Sequence, residues 1–236
     1  MISVCMATYN GERFIAEQLD TILAQISEHD ELIVSDDGSS DKTQDIINSY
    51  KQKYNNIVLL QGPKKGVIKN FENAIKHARG DYIFLCDQDD IWVKNKVNIV
   101  LNCFKKTNAY VVLHDARIVD GDGNCVEESF YSHRGSKKGF LKNLWKNSYL
   151  GCCMAFDRKL LIDILPIPDK IEMHDWWIGM LGETKHKSVI IPNKLIDYRR
   201  HGNNVSSFHH HKFLKMVYNR VYLIKELIKR RVKKNG

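Results

Sequence analysis

The sequence predicts an α/β fold around a largely parallel sheet, and three observations carry that prediction. Short apolar runs alternate with longer segments of helical period in the first half of the chain, as in successive βαβ units. Polar clusters rich in Asp, Asn and Ser directly follow several of these runs. The 236 residues are 43% hydrophobic and 27% charged, a composition typical of one globular domain with a substantial core.

The elements of the first half can be assigned in chain order. Apolar runs predict four strands, at residues 2–6, 31–35, 57–61 and 82–86. Helical periods predict the helices between them, at residues 13–25, 42–54 and 67–78. A further helix is expected to begin near Ile91. This half should therefore be Rossmann-like.

The second half is less regular, which suits the acceptor side of an enzyme, where loops build the pocket. Apolar runs predict strands at residues 110–114, 189–191 and 195–198. Residues 120–124 predict a hairpin turn, and residues 133–146 form a basic loop. We expect a catalytic domain over residues 1–205 and a basic, amphipathic helical tail over residues 206–236.

The net charge of +8 is concentrated at the C-terminal end. From Lys212 onward there are nine Lys or Arg and one acidic residue, whereas residues 1–211 hold 27 basic and 27 acidic groups. No docking motif accompanies the basic residues, so no nucleic acid partner is expected. The sequence has no signal peptide, no run long enough to span a membrane and no C-x-x-C pair, so we expect a cytoplasmic protein with reduced cysteines.

Three polar clusters follow predicted strands, where ligands of open α/β sheets bind. They lie at residues 7–11, 36–41 and 87–90. The third contains Asp87, Asp89 and Asp90, carboxylates that repel one another unless a cation or protons compensate them. Oxygen ligands favour Mg²⁺ or Mn²⁺. The alternative is a solvated acidic turn that caps the following helix.

The remaining candidates each permit two interpretations. Thr8, Tyr9 and Asn10 could join Asp37 in offering an aromatic face and a carboxylate to a nucleobase, or they could form ordinary turns. Asp175 lies beside two tryptophans, which suits a general base of raised pKa and equally suits a helix N-cap.

A basic segment follows the last predicted strand. Arg199 and His201 could face a diphosphate, or they could belong to an ordinary basic loop. Neither G-x-G-x-x-G nor G-x-x-x-x-G-K-[ST] occurs in the chain, so a dinucleotide fingerprint and a P-loop are both excluded.

Five motifs occur in one order along the first 205 residues. They are S-V-C-M-A-T-Y-N-G at 3–11, S-D-D-G-S-S-D at 35–41, G-D-Y-I-F-L-C-D-Q-D-D-I-W at 80–92, H-D-W-W at 174–177 and Y-R-R-H-G-N-N at 198–204. In wording and order they resemble the family 2 glycosyltransferases of the GT-A fold. The resemblance implies that Tyr9 and Asp37, with Thr8 and Asn10 beside them, hold the base of a nucleotide donor.

The same resemblance implies roles for the remaining candidates. Asp89 would hold the Mn²⁺ or Mg²⁺ ion that bridges the donor diphosphate, with Asp87 on the ribose or metal side. Asp175 would deprotonate the acceptor hydroxyl, while Arg199 and His201 steady the leaving diphosphate. A single displacement of this kind inverts the anomeric centre, and it needs no covalent intermediate.

The motif wording is similar to that of bacterial rhamnosyltransferase-like enzymes that build capsule, O-antigen or wall polysaccharides. This resemblance implies an NDP-sugar donor, with dTDP-L-rhamnose as one candidate, and a glycan or lipid-linked saccharide acceptor. A sugar-nucleotide pyrophosphorylase would instead need a Gly-rich basic loop after the first strand, which this sequence lacks. A non-catalytic subunit that binds NDP-sugars or anionic polymers is the alternative from another class.

The tail carries one apolar stripe among many Lys and Arg residues. The stripe consists of Leu214, Val217, Val221, Ile224 and Ile228, at alternating spacings of three and four. Such a helix can lie on an anionic membrane surface, pack on the catalytic domain or pair with a second copy in a homodimer. The concentration of positive charge favours the membrane, so we expect a peripheral association with its inner face.

Overall fold

The structure, a computed structural model, describes residues 1–202 and 213–232 and confirms the predicted α/β architecture. The described strands are β1 (Ile2–Thr8), β2 (Glu31–Asp36), β3 (Ile57–Gln61), β4 (Tyr82–Asp87), β5 (Ile91–Trp92), β6 (Val111–Val119), β7 (Cys125–Glu127), β8 (Met154–Asp157) and β9 (Ser188–Arg199). The described helices are α1 (Ile15–Leu23), α2 (Thr43–Lys51), α3 (Val67–His77), α4 (Lys96–Thr107), α5 (Phe130–Arg134), α6 (Phe140–Trp145), α7 (Leu161–Ile164), α8 (His174–Thr184) and α9 (Phe213–Val232).

One mixed sheet organises the described part of the chain, with strand order β3-β2-β1-β4-β8-β6-β9-β5. β1 pairs in parallel with both β2 and β4, and β2 pairs in parallel with β3. Thr8 lies opposite Asp36, and Ala7 lies opposite Asp87. The strand ends that were expected to share a crevice are therefore side by side, and apolar clusters cover both faces of the sheet.

The prediction of a helix that begins near Ile91 is wrong. Ile91 and Trp92 instead form a short strand that pairs with β9, and α4 begins only at Lys96. Trp92 is buried against the core, and Asn95 adopts a left-handed conformation just before α4. Burial of the indole in the sheet outweighs helix formation at this point, because tertiary packing overrides a local pattern.

The second half differs from the sequence prediction at β9 and in the basic loop, and β7 and β8 were not predicted. The two strands expected near residues 189–198 are one strand, β9, which pairs with β6. Its register shifts between Ile191 and Lys194, next to Pro192, which has no N–H to donate to the ladder. The basic loop at residues 133–146 contains α6. The expected turn at residues 120–124 is confirmed, and it connects β6 to β7.

The C-terminal helix α9 packs on the rest of the structure through a face that the sequence did not suggest. Leu223 and Leu227 are buried, and the Arg220 and Arg230 guanidinium groups lie over the Trp176 and Trp177 rings, 5.7 Å from each ring centre. The predicted stripe points outward. Its members Leu214, Val217, Val221, Ile224 and Ile228 are all exposed.

Two further expectations concern this end of the chain. The boundary between residues 205 and 206 lies outside the described residues, so the division into domain and tail stays a prediction. Within the described ranges, no helix combines the length and the apolar character needed to cross a membrane.

Candidate functional site

A cavity of about 660 Å³ opens at the carboxyl ends of β1, β2 and β4. The loop between β3 and α3 and the start of α8 complete its wall. Six of the residues predicted from the sequence line it: Thr8, Tyr9, Asp37, Asp87, Asp89 and Asp175. The structure thus brings most of the predicted site together in one place.

Asp37 and Tyr9 occupy the part of the cavity bounded by the loops after β1, β2 and β3. The Asp37 carboxylate accepts hydrogen bonds from the backbone N–H groups of Lys64, at 2.6 Å, and Gly66, at 2.8 Å. The Tyr9 side chain is 58% exposed, so its ring is free to receive a planar ligand. Asp37 retains lone pairs for a further donor, because an ionised carboxylate offers about four acceptor sites.

Hydrogen bonds within the polar clusters hold these loops in place. Asp36, which the sequence did not single out, accepts bonds from the hydroxyls of Thr8 and Ser39, the amide of Gln44 and the backbone N–H groups of Gly38 and Ser39. The carboxylate therefore fixes the geometry of the loop that carries Asp37.

Asn10 and Gln88 link the loop after β1 to its neighbours. Asn10 uses its side-chain oxygen to accept a bond from Ser40 N, at 2.9 Å. Gln88 clamps the backbone of Tyr9, accepting from its N–H at 2.9 Å and donating to its carbonyl at 3.1 Å. Asn10 thus joins two loops of the site, and its predicted contact with a nucleotide stays a prediction.

The acidic cluster after β4 is buried and electrostatically strained. Burial, with the charges of Asp89 and Asp175, raises the pKa of Asp87 to about 7. Burial and the charges of Asp89 and Asp87 hold the pKa of Asp90 well above its ordinary value. Asp90 Oδ2 is buried with no N–H or O–H partner among the described residues. The charge of Lys96 lies nearby and opposes the shift of Asp87, and a divalent cation would supply further positive charge to the cluster.

The ligand atoms of Asp87, Asp90 and Cys152 lie within 4.8 Å of one another, so they form a possible metal-binding group. Burial holds the pKa of the Cys152 thiol well above its ordinary value, which keeps it protonated at neutral pH. A protonated thiol is a poor ligand, and the remaining carboxylate oxygens favour Mg²⁺ or Mn²⁺ over softer metals. Lys96, buried beside the cluster, donates to Cys152 O at 2.9 Å.

Arg199 and His201 both contact Asp89. His201 Nε2 lies 2.8 Å from Asp89 Oδ2, and the His201 ring stacks on Phe14. Arg199 Nε donates to the Asp89 carbonyl at 2.9 Å, and its other guanidinium nitrogens donate to Glu17 and the Gly121 carbonyl. Arg199 thereby fastens the end of β9 to the acidic cluster. Burial raises the pKa of Asp89, although His201 opposes this shift.

Asp175 lies in the first turn of α8, whose residues His174 to Glu183 are all buried. Burial raises its pKa to about 7, against hydrogen bonds from Trp176 N, the Asn147 side chain and Gly151 N that lower it. The direction agrees with the shift expected from its tryptophan neighbours. Met173 is the N-cap residue of α8, so the alternative role of Asp175 as the N-cap does not apply.

His174, which precedes Asp175, has an unusual environment. Its ring stacks on Phe71 with centres 4.1 Å apart, and burial lowers its pKa to about 3, so the imidazole is neutral. Both ring nitrogens are buried without a hydrogen-bond partner among the described residues, although His174 lines the cavity. A Cβ atom at Gly151 would lie 2.9 Å from His174 Nε2, so glycine leaves room for this ring.

Sequence reasoning missed the segment that follows β3. Lys64 and Gly66 both line the cavity, and both have positive φ angles, of 57° and 83°. The signal was available, since Gly62, Pro63 and Gly66 follow a predicted strand as the three recognised clusters do. Gly62 also permits a close approach, because a Cβ there would lie 2.7 Å from the Asp36 carbonyl.

Comparison with known proteins finds glycosyltransferases among the relatives of this chain. The dTDP-rhamnosyl transferase RfbG of Shigella flexneri is 31% identical over 215 residues, which are 84% of this chain and 72% of that protein. WfgD of Escherichia coli, described as a UDP-Glc:alpha-D-GlcNAc-diphosphoundecaprenol beta-1,3-glucosyltransferase, is 28% identical over 88% of this chain and 80% of its own length.

A solved structure of S. aureus TarS, residues 1–349 with UDP-GlcNAc, has a TM-score of 0.75 at 20% identity. The match covers 94% of this chain and 66% of that one, and it confirms the GT-A fold. The chain spans only 60% of the length of some other relatives. The profile described as "Glycosyl transferase family 2" matches residues 3–165. The chain therefore belongs to glycosyl transferase family 2.

Proposed function

We propose that this chain is an inverting, metal-dependent glycosyltransferase that moves a sugar from a nucleoside-diphosphate donor to an acceptor hydroxyl. The observation that carries the proposal is the pairing, around one cavity, of a buried acidic cluster with a separate carboxylate whose pKa is about 7. A single displacement at an anomeric carbon needs a general base and a group that stabilises the leaving diphosphate, and a metal site can supply the second.

The donor binds, in this proposal, along the ends of β1, β2 and β4. Tyr9 stacks on the nucleobase, and Asp37 accepts one of its N–H groups while its backbone bonds keep the carboxylate in place. Thr8 and Asn10 hold the loops around the base. Family membership and the exposed Tyr9 ring support this arrangement.

The acidic cluster fits Mn²⁺ or Mg²⁺ in the donor site. Asp89 and Asp87, which line the cavity, would hold the ion, and Asp90 would add negative charge behind them. When bound, the ion neutralises charge that develops on the diphosphate leaving group. We assign Arg199 and His201 to the same side, where they support Asp89 and the departing diphosphate.

Asp175 is the proposed base. In its ionised form it takes the proton of the acceptor hydroxyl while that oxygen forms a bond to the anomeric carbon and the bond from that carbon to the diphosphate breaks. The products are an inverted glycoside, a nucleoside diphosphate and a protonated Asp175. A pKa near 7 suits this role, because the group is ionised often enough to act and basic enough to accept a proton.

We further assign His174 to the donor sugar. Two buried ring nitrogens without partners among the described residues carry a free-energy penalty that a hydroxyl group could relieve, since neutral imidazole offers one donor and one acceptor. The neighbouring Asp175 is the base, so a hydroxyl that binds His174 would lie close to the reacting centre. His174 would therefore help to select the sugar.

The similarity to RfbG supports dTDP-L-rhamnose as a donor, and that to WfgD supports a lipid-linked saccharide as an acceptor in cell-surface polysaccharide synthesis. Residues 1–205 would form the catalytic unit. The segment 206–236 would hold it at the cytoplasmic, anionic face of the membrane, with a homodimer as the alternative use of the exposed stripe.

A donor panel tests the proposal. The full chain is incubated with Mn²⁺ or Mg²⁺ and separate samples of dTDP-L-rhamnose, UDP-glucose, UDP-GlcNAc and GDP-mannose. Slow, EDTA-sensitive release of nucleoside diphosphate with one donor would support a transferase. A donor-dependent rise in melting temperature without any release, with or without added acceptor, would indicate a non-catalytic binding subunit instead.

A further inference from the structure

Exposed apolar side chains are concentrated on two neighbouring helices, α6 and α9. Among the described residues, eight of thirteen exposed large hydrophobic side chains lie there: Leu141, Trp145, Leu214, Val217, Tyr218, Val221, Ile224 and Ile228. Leu141 is 77% exposed and Trp145 is 66% exposed. Isolated exposed apolar residues need no explanation, but a cluster of this kind marks an interaction surface.

The outward stripe of α9 is not needed to attach the helix to the rest of the chain. Leu223 and Leu227 already bury the inner face, Asn219 donates to Glu172 at 2.8 Å, and Arg230 donates to the Leu165 carbonyl at 2.9 Å. The stripe is therefore available for a second partner.

The two helices form one continuous surface. Arg220, on α9, donates to the backbone carbonyl of Trp145, at the end of α6. Phe140 of α6 and the α9 residues Ile224, Leu227 and Ile228 line one groove of about 420 Å³. Phe140 therefore joins α6 to the apolar residues of α9 at this groove, and Leu141 and Trp145 lie on the same short helix as Phe140.

Charge decides which partner fits this surface. Residues 133–146 contain five Lys or Arg and no acidic residue, and α9 contains six Lys or Arg and one acidic residue, Glu226. A second copy of this chain would bring the same positive surface against it, and like charges in an interface are unfavourable. A nucleic acid would meet the charge but would leave the apolar stripe unused. An anionic bilayer complements both features.

We propose that α6 and α9 together form a membrane-docking surface, with Leu141 and Trp145 entering the interface of an anionic bilayer beside the α9 stripe. This deepens, and rests on, the proposed function, which assigns a membrane contact to the C-terminal segment alone. Tryptophan is favoured at membrane interfaces, and the exposed lysines around α6 supply the electrostatic attraction.

The helix α6 lies next to the proposed base, which connects the docking surface with the proposed reaction. Trp176 Nε1 donates to the Asn143 carbonyl of α6 at 2.8 Å, and the Asn147 side chain, just after α6, hydrogen-bonds to Asp175. A lipid-linked acceptor that lies in the bilayer would thus meet the enzyme at the edge nearest its base.

Trp145 provides a direct probe. The chain has four tryptophans, and Trp92, Trp176 and Trp177 are buried, so a change in tryptophan emission on membrane binding should come from Trp145. We expect emission from the full chain to shift to the blue with vesicles of phosphatidylglycerol and phosphatidylcholine, and not with phosphatidylcholine alone. Brominated acyl chains should quench it. The W145F variant should still sediment with the anionic vesicles but lose the shift.

Matched variants test the surface by co-sedimentation at low salt. K137S/K138S should lower binding roughly 30-fold, since each basic residue contributes about 1 kcal/mol and 1.4 kcal/mol is tenfold. L141A/W145A should lower it by about tenfold or more. K105S/K106S, which replaces two exposed lysines on α4, is the control for K137S/K138S. V221S tests the α9 stripe, and its control is V126S on β7, because both valines are 61% exposed.

The outcomes separate this inference from the proposed function. Two results, each with normal donor hydrolysis, would overturn the docking surface and leave the transferase intact. One is equal vesicle binding by K137S/K138S and K105S/K106S. The other is no vesicle binding at all. A dimer in light scattering that V221S abolishes and V126S preserves would show that a second copy covers the stripe. Vesicle binding without donor hydrolysis would count against the transferase only.

Discussion

Replacement of Asp175 by Asn is the sharpest test of the proposed chemistry. Asn has nearly the same shape as Asp and keeps a side-chain oxygen for the bonds that Asp175 accepts from Trp176 N and Gly151 N. It cannot take a proton from an acceptor hydroxyl. We expect Asp175→Asn to lower kcat for transfer by about 10²–10⁴, the usual contribution of a positioned base, with donor affinity near that of the wild type.

The raised pKa of Asp175 adds a prediction for the wild-type enzyme. Only the ionised base can act, so kcat should fall as the pH drops below about 7, roughly tenfold for each further unit. An aspartate of ordinary pKa would give no loss between about pH 8 and about pH 6.

Asp87 also has a pKa of about 7 when no cation is bound, so the two groups must be separated. A bound cation favours the ionised form of its ligands. When kcat is measured against pH at increasing Mn²⁺, the pH dependence due to Asp87 should therefore disappear, whereas the pH dependence due to Asp175 should remain.

The assay is acceptor-dependent transfer from a radiolabelled donor, with calorimetric measurement of nucleoside diphosphate binding as a control. A kcat that does not change with pH at saturating Mn²⁺ would refute the assignment of Asp175 as the base. Near-normal kcat in the Asp175→Asn variant would also refute it. Loss of nucleotide binding in that variant would place Asp175 in the donor site instead.

Three further predictions address the metal, the sugar and the fold. Asp89→Asn should abolish turnover and the Mn²⁺-dependent part of donor binding measured by calorimetry, and near-normal turnover at saturating Mn²⁺ would contradict that role. His174→Phe keeps a ring to stack on Phe71 but removes both nitrogens, so it should raise the KM for the preferred NDP-sugar in the donor panel while leaving the Kd of free NDP unchanged; an unchanged ranking of donors would exclude a role in sugar selection. Leu223→Ala should lower the free energy of unfolding by about 2–5 kcal/mol in urea titrations, whereas Val221→Ala should change it by about 0.5 kcal/mol or less, because Leu223 is fully buried and Val221 is exposed; equal effects would contradict the packing of α9.

The site was predictable to the extent that it follows from strand order. Apolar runs followed by polar clusters identify the carboxyl ends of parallel strands, and in such a sheet these ends meet at one edge. Thr8, Asp37, Asp87 and Asp89 were found in this way. Asp175 was found by a different argument, from the tryptophans beside it, and its raised pKa agrees with that argument.

The residues that were missed act through contacts between distant segments. Gln88 bonds to Tyr9, 79 positions earlier, and Glu17, which was also missed, accepts a bond from Arg199, 182 positions later. No local period or spacing signals such pairs, since each depends on where two separate loops meet. The same holds for the ring nitrogens of His174, whose lack of partners among the described residues becomes visible only when every nearby group has been placed.

The tail shows a different limit of sequence reasoning. Its outward stripe was correctly identified as an apolar series, but the residues that attach the helix, Leu223 and Leu227, form a second series four residues apart. A helix with two apolar faces can contact two partners, and periodicity alone does not indicate which face packs on the protein. Burial in the structure makes that distinction.

The helix α9 supports the proposed base and not the loops of the proposed donor site. The donor loops are held by hydrogen bonds among themselves, through Asp36, Asp37 and Gln88, whereas Asp175 is held by a helix that α6 and α9 cover. Removal of the tail would thus expose the Trp176 and Trp177 rings and disturb the base while leaving the donor loops connected. Truncation is for this reason a poor test of membrane binding, and point substitutions on the outward face, which leave Leu223 and Leu227 in place, are the better one.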